Sequence, residues 1–86
     1  MILYSNMKSI DLHGADRCYA KILVKDFIND SVKMKEEYVV IIHGIGKGIV
    51  KKAVFEELKV NKNVLEYKQD NFNPGCTVVK LRKIKE

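Results

Sequence analysis

The sequence is poor in the residues that mark several common protein classes. It has no Trp, one Pro and two Cys among 86 residues. The low Pro content and the lack of a polar low-complexity tract argue against disorder across the chain. Cys18 and Cys76 lie far apart and form no C-x-x-C pair, and with only two His the spacing of a zinc finger is missing. We therefore expect reduced thiols in an intracellular protein.

Long hydrophobic runs are also missing. The longest one, residues 38–42, is far shorter than the roughly 18 residues of a membrane span. The first residues lack the basic region and the long apolar region of a signal peptide. The sequence thus predicts a cytoplasmic protein with no membrane partner, a short leader at residues 1–8 and a single domain at residues 9–86.

Acidic residues are outnumbered, and the imbalance is confined to one half of the chain. The 16 Lys+Arg and 11 Asp+Glu give a formal net charge of +5. Residues 1–46 hold six basic and six acidic side chains, whereas residues 47–86 hold ten and five. Fourteen of the cations are Lys, which suit contacts with backbone phosphates better than bidentate recognition of bases. Nucleic acid is the expected partner.

The apolar spacing predicts six elements in the order β-α-β-α-β-β. They are a strand at residues 9–12, a helix opened by Asp16 and ending between Ser31 and Met34, a strand at 38–42, a helix after Gly48, and strands at 64–68 and 77–81. Alternating β and α units imply parallel strands with right-handed crossovers. We therefore expect an α/β two-layer sandwich, with a four-stranded mixed sheet and both helices on one face.

The only two His follow the same local pattern. His13 and His43 each come after an apolar strand, each precede a Gly, and each introduce a helix. Because catalytic groups gather at the carboxyl ends of parallel strands, the two imidazoles are expected to lie near each other. Asp11 stands two residues before His13, so both side chains should leave the strand on the same side. Leu12 should point into the core.

Residues 43–48 form a glycine-rich connection between a strand and a helix. Glycines at such a place let backbone N–H groups approach an anion, which the N-terminus of the helix also favours. The spacing G-x-G-x-G is neither that of a P-loop nor the dinucleotide fingerprint. The predicted phosphate-binding residues are Gly44, Gly46, Lys47, Gly48, Lys51 and Lys52.

Each of these features has a simpler interpretation. A strand-end His can satisfy the backbone of its loop, and glycines can merely permit tight turns. Lys51 and Lys52 can belong to an ordinary solvated helix face. Phe72 is expected to pack within the last hairpin, although its polar loop would also allow it to stack on a base. The coincidence of all these residues at one edge of the sheet favours a functional site.

Three motifs in order resemble the Smr (small MutS-related) domain. Residues 10–14 have the sequence I-D-L-H-G, residues 43–48 have H-G-I-G-K-G, and residues 75–81 have G-C-T-V-V-K-L. The family's motifs are L-D-L-H-G, H-G-x-G-x-G and a terminal G-V-T-x-V-x-L strand. The resemblance covers about residues 9–83. In the second motif the family often has Lys or Arg where this chain has Ile45.

The resemblance implies a fold like the C-terminal domain of translation initiation factor three and endonuclease activity on DNA or RNA. It implies that Asp11 and His13 carry the chemistry and that residues 43–48 form the glycine loop. Members occur as C-terminal domains of MutS-like proteins, as ribosome-associated nucleases and as small stand-alone proteins, and this chain is expected to be of the last kind.

The leading hypothesis is an endonuclease in which His13 acts as general base on a water or a 2′-hydroxyl, oriented by Asp11. His43 or a water would protonate the leaving oxygen, and Lys47 with the loop amides would stabilise the charged phosphorane. No metal site or cofactor is predicted, apart from a weakly bound divalent metal at Asp11 and His13. The alternative is a basic module that binds nucleic acid or the ribosome without cutting. A small-molecule phosphate enzyme is disfavoured, since no loop is long enough to cover a pocket.

Overall fold

The computed structural model describes residues 7–46 and 48–83. Its elements are β1 (Lys8–Asp11), α1 (Arg17–Lys33), β2 (Tyr38–Ile42), α2 (Ile49–Val60), β3 (Val64–Gln69) and β4 (Cys76–Leu81). The predicted order β-α-β-α-β-β is confirmed. The first strand begins at Lys8, so the last residue of the predicted leader, residues 1–8, already belongs to the sheet, while residues 1–6 lie outside the described part.

The four strands form one mixed sheet in the order β1-β2-β4-β3. β1 pairs with β2 in parallel, and β4 pairs antiparallel with both β2 and β3. β2 therefore lies inside the sheet, which explains its unbroken run of apolar residues. Its Val39, Val40 and Ile41 are at most 1% exposed. Such a run is typical of a strand that is covered on both faces.

Both helices cover the same face of this sheet, as predicted. Their apolar sides and the alternate residues of the strands share one core. Its buried members are Leu12, Ala20, Val24, Phe27, Ile28, Val32, Val39, Ile41, Val54, Leu58, Val79 and Leu81. Leu12 is 1% exposed and thus points inward, as its spacing from Asp11 predicts.

The ends of α1 follow from its sequence. The carboxylate of Asp16 accepts a hydrogen bond from the backbone N–H of Tyr19 at 2.8 Å and so caps the first turn. A cap of this kind stabilises a helix by about 1 kcal/mol. Met34 caps the C-terminus, within the predicted limits, and Lys35 follows with a positive φ of 64°. Within residues 7–46 and 48–83, neither helix is long and apolar enough to cross a membrane.

Candidate active site

The connections that follow β1 and β2 begin side by side at one edge of the sheet. In the register of the parallel pair, Asp11 is opposite Ile42, and the N–H of Leu12 donates to the carbonyl of Ile42 at 2.9 Å. Neighbouring strands are about 4.8 Å apart. The turn that carries His13 and the loop that begins at His43 therefore leave the sheet at the same place.

Asp11 and His13 occupy a tight, solvent-exposed turn. The backbone N–H of His13 donates to Oδ1 of Asp11 at 2.9 Å, and Gly14 adopts a φ of 82°. The N–H of Ala15 closes the turn on the carbonyl of Leu12 at 3.0 Å. The carboxylate thus holds the backbone of His13, and in the part of the chain that the structure describes it makes no hydrogen bond to the imidazole. Asp11 positions His13 through the turn.

His43 has a different environment from His13. It is 8% exposed, and its ring lies edge-on to Phe55 with 6.1 Å between the ring centroids. Its Nδ1–H donates to the carbonyl of Gly44 at 2.9 Å, which leaves Nε2 to accept from the hydroxyl of Thr77 at 2.8 Å. The ring therefore connects the glycine loop, α2 and β4 on the helical side of the sheet.

The surroundings of His43 favour the neutral imidazole. Burial lowers its pKa below the ordinary value of 6.5. The hydrogen bond to the Gly44 carbonyl opposes this shift in part, and the charge of Lys51 adds a smaller lowering effect. With both ring nitrogens bonded inside the fold, the ring has no N–H left for a leaving oxygen. For His43 to act as the predicted proton donor, one of these two hydrogen bonds would have to break.

The start of the glycine loop is hydrogen-bonded to Gly75, the residue that precedes β4. The carbonyl of Gly75 accepts the N–H groups of His43 at 2.9 Å and of Gly44 at 3.0 Å. A Cβ on Gly75 would lie 3.4 Å from the Cα of Gly44 and 3.3 Å from Oδ1 of Asn73, so a larger residue here would require the Asn73 side chain to shift by a few tenths of an ångström. The N–H of Gly44 is therefore bonded within the fold, and the predicted contact of Gly44 with a phosphate would require this bond to break.

Two later glycines of the loop, Gly46 and Gly48, have open space beside them. A Cβ on Gly46 or Gly48 would meet no heavy atom within 4 Å. Gly48 is the N-cap of the 12-residue helix α2, with a φ of 79° and no side-chain hydrogen bond to the cap in the described part of the chain. An anion at this point would meet the N–H groups of the first helical turn. Lys47, also predicted to bind phosphate, lies outside the described residues.

The first turns of α2 carry cations next to this open loop. Lys52 is exposed, and Nζ of Lys51 lies 5.6 Å from the ring centroid of Phe55. These side chains border a groove that is not apparent from the sequence. It is lined by Gly48, Lys51, Lys52, Phe55, Glu56, Lys59 and Tyr67. No spacing in the sequence could reveal it, since α2 and β3 supply its two walls.

A row of side chains crosses the same edge of the sheet on the face opposite the helices. Asp11 of β1 is opposite Ile42, Ile42 is opposite Cys76, and the N–H of Asp70 donates to the carbonyl of Cys76 at 2.9 Å. Burial raises the pKa of the Cys76 thiol, and the charges of Asp70 and Asp11 raise it further. Within residues 7–46 and 48–83, no group of three or more His, Cys, Asp or Glu side chains could hold a metal ion.

The chain is similar to known proteins along almost its whole length. The sequence profile described as Smr domain matches residues 10–82. The chain is 30% identical over 83 residues to Endonuclease MutS2 of Clostridium kluyveri, and the match covers 96% of the chain and 11% of that protein. It is 36% identical over 75 residues to Endonuclease MutS2 of Helicobacter pylori, and this match covers 87% of the chain and 10% of that protein. The chain thus spans about a tenth of the length of these relatives.

Two crystal structures have the same fold. The Smr domain of Thermus thermophilus MutS2 superposes with a TM-score of 0.85 at 26% identity, over 88% of the chain and 99% of that domain. YdaL, a stand-alone small MutS-related protein from Escherichia coli, superposes with a TM-score of 0.83 at 25% identity, over 91% of the chain and 66% of YdaL.

Proposed function

Because the chain belongs to the Smr domain family, we propose that it is an endonuclease that cleaves phosphodiester bonds in DNA or RNA. The relatives named Endonuclease MutS2 support this reaction, although the chain matches only about a tenth of their length. The observation that carries the proposal is the exposed turn of Asp11 and His13 beside the open glycine loop, at the shared edge of two parallel strands.

In this proposal His13 is the general base. Its exposed imidazole takes a proton from a water or from a 2′-hydroxyl, which then attacks the phosphorus. Asp11 fixes the backbone of His13 by its 2.9 Å hydrogen bond and so orients the turn that carries the base. A water protonates the leaving oxygen, since the ring nitrogens of His43 are bonded to Gly44 and Thr77.

The phosphate is held by the open half of the glycine loop. The N–H groups of Gly46 and Gly48 and of the first turn of α2 supply hydrogen bonds, and Lys47, Lys51 and Lys52 supply positive charge. Both stabilise the extra negative charge of the transition state. Glycine at position 48 suits this task, because the backbone there has a positive φ and open space beside it. His43 and Gly75 hold the loop in place.

The proposal includes no tightly bound cofactor. One carboxylate and one imidazole, those of Asp11 and His13, make a small ligand set for Mg²⁺, so we propose cleavage that is metal-independent or weakly metal-assisted. The enzyme would act in the cytoplasm, on free nucleic acid or on the ribosome. A chelator added to the cleavage assay tests the metal dependence, and cosedimentation with ribosomes tests ribosome binding.

The central experiment is a cleavage assay with single strands, branched duplexes and stem-loops of end-labelled DNA and RNA, analysed on denaturing gels. His13→Ala should lower the rate at least about 100-fold, the usual contribution of a positioned general base. Lys25→Ala, a change on the exposed side of α1, serves as the control and should cut like the parent. Equal rates for the parent and His13→Ala would refute the proposed mechanism.

A module that binds nucleic acid without cutting it is the second candidate. It is favoured by Ile45, an apolar side chain that is 68% exposed in the loop where the resemblance to the Smr motif implies a cation. The same gels separate the two functions. Intact substrates together with binding that weakens as salt rises would support the module and contradict the endonuclease.

A further inference from the structure

Phe72 is the most exposed of the large apolar side chains in the described part of the chain. It stands in the connection between β3 and β4 and is 95% exposed. The expectation that it packs within the hairpin is therefore wrong. A ring that is almost fully solvated contributes no burial to the fold, and its faces are accessible to a ligand.

The connection that carries Phe72 is fixed on both sides of the ring. The N–H of Phe72 donates to Oδ1 of Asp70 at 3.2 Å, and the N–H of Gly75 donates to Oδ1 of Asn73 at 3.1 Å. The side chain of Gln69 donates to the carbonyl of Pro74 at 3.0 Å. The aromatic ring is thus presented to solvent from an ordered loop, so little backbone entropy is lost when a ligand binds it.

The same connection adjoins the proposed phosphate site. Its last residue, Gly75, accepts the N–H groups of both His43 and Gly44 through its carbonyl. The loop of Phe72 and the glycine loop are therefore in direct contact at one edge of the sheet. An aromatic ring on a loop that contacts the proposed phosphate-binding loop suits a nucleotide, which carries both a flat base and a phosphate.

We propose that Phe72 stacks on an unpaired base of the nucleic acid that is bound at the glycine loop. Stacking on an aromatic ring tolerates any base, because every base has a flat π-face. In a continuous duplex these faces are covered by neighbouring bases, so the substrate class is nucleic acid with unstacked bases near the cut: single strands, loops or branch points. This inference rests on the proposed function and names the substrate of the same site.

The first test measures affinity with the full-length chain. Fluorescence anisotropy of a labelled single strand and of a blunt duplex of equal length is compared for the parent, Phe72→Ala and Phe72→Trp. We expect Phe72→Ala to weaken single-strand binding about 10-fold, as loss of one aromatic stack does, and to leave duplex binding within about 2-fold. Phe72→Trp should bind single strands like the parent. Leu65→Ala, at an apolar residue of β3 that is 60% exposed, is the matched control and should change neither affinity.

The second test uses the absence of Trp from the natural sequence. The Phe72→Trp protein has one Trp, whose emission reports directly on stacking. Saturating single strand should quench this emission strongly, whereas duplex should have little effect. Unchanged emission at saturation, no binding of single strands, or equal losses of both affinities in Phe72→Ala would each overturn the inference.

These tests are independent of cleavage. Repeated in the His13→Ala background, they report stacking without a cut. Quenching in a protein whose cleavage does not depend on His13 would preserve the stacking site and refute the endonuclease mechanism. Cleavage that depends on His13, together with no effect of Phe72→Ala on single-strand affinity, would support the endonuclease mechanism and refute the stacking site.

Discussion

The imidazole of His43 and the hydroxyl of Thr77 form a 2.8 Å hydrogen bond in the interior of the fold. Thr77 is fully buried, and His43 also donates to the carbonyl of Gly44, at the start of the glycine loop. Through this pair β4 sets the position of a loop that β2 and α2 carry. The buried His is thereby a support of the proposed phosphate site.

Thr77→Val should destabilise the protein. The substitution keeps the shape of the side chain but removes the hydroxyl that donates to Nε2 of His43, which leaves a buried acceptor without a partner. We expect the free energy of unfolding to fall by about 1–3 kcal/mol in urea titrations. Thr77→Ser, which keeps the hydroxyl, should recover part of the loss. A Val variant as stable as the parent would show that the hydrogen bond contributes nothing to stability.

The stability of the protein should decrease below about pH 6.5. Burial, aided by the charge of Lys51, lowers the pKa of His43 in the folded state, so the unfolded state binds more protons in the range just below the ordinary pKa of 6.5. The stabilisation is complete above this value and is lost as the pH falls towards the folded-state pKa. Urea midpoints at about pH 7.5 and 5.5 measure the effect.

The two His allow a matched control for this pH dependence. His13→Gln should retain the difference between the two midpoints, because His13 is exposed, whereas His43→Gln should reduce it. A parent protein with the same urea midpoint at both pH values would contradict the prediction.

Asp11→Asn should separate the two tasks of this side chain. Asn keeps an oxygen that can accept the N–H of His13, so the turn should persist and the free energy of unfolding should change by less than about 0.5 kcal/mol. The negative charge of the turn is lost, and we expect cleavage to slow by about 10-fold or more. Asp26→Asn, an exposed residue of α1, should cut at the parent rate. Full activity in Asp11→Asn would limit Asp11 to holding the turn.

The two thiols should react at very different rates. Cys18 is exposed, whereas Cys76 is 4% exposed and its pKa is raised by burial and by Asp70 and Asp11. In a chromogenic disulfide assay at about pH 8, Cys76 should react at least about 10-fold more slowly than Cys18. Cys18→Ser isolates the slow thiol, and unfolding in urea should abolish the difference. Two equal rates in the native protein would be incompatible with the placement of Cys76.

Local patterns were sufficient to predict the elements of this fold. The unbroken apolar run of β2 and the three- and four-residue spacing in the helices depend on burial alone, and burial leaves a periodic mark in the sequence. Asp16 predicted the start of α1 through its own side chain, a local contact. The pairing of the two His-Gly turns also followed from order, since β-α-β units place such turns at one edge.

The roles of the two histidines could not be predicted in the same way. Their surroundings in the sequence are alike, but His13 is exposed in its turn and His43 is bonded to Thr77 across the sheet. Likewise, the hydrogen bond between Gly44 and Gly75 and the exposure of Phe72 depend on the pairing of β4 with β2.

The amino-acid order of this chain therefore specifies its six elements, their sequence along the fold and the presence of a basic, glycine-rich edge, because periodicity and turn chemistry are local properties. Which face each side chain occupies is another matter. Successive residues of a strand point to opposite faces, so one step separates Ile42, on the side of Asp11, from His43, on the side of the helices. That assignment depends on strand register and on contacts between residues far apart in the chain, which form only when the core is assembled.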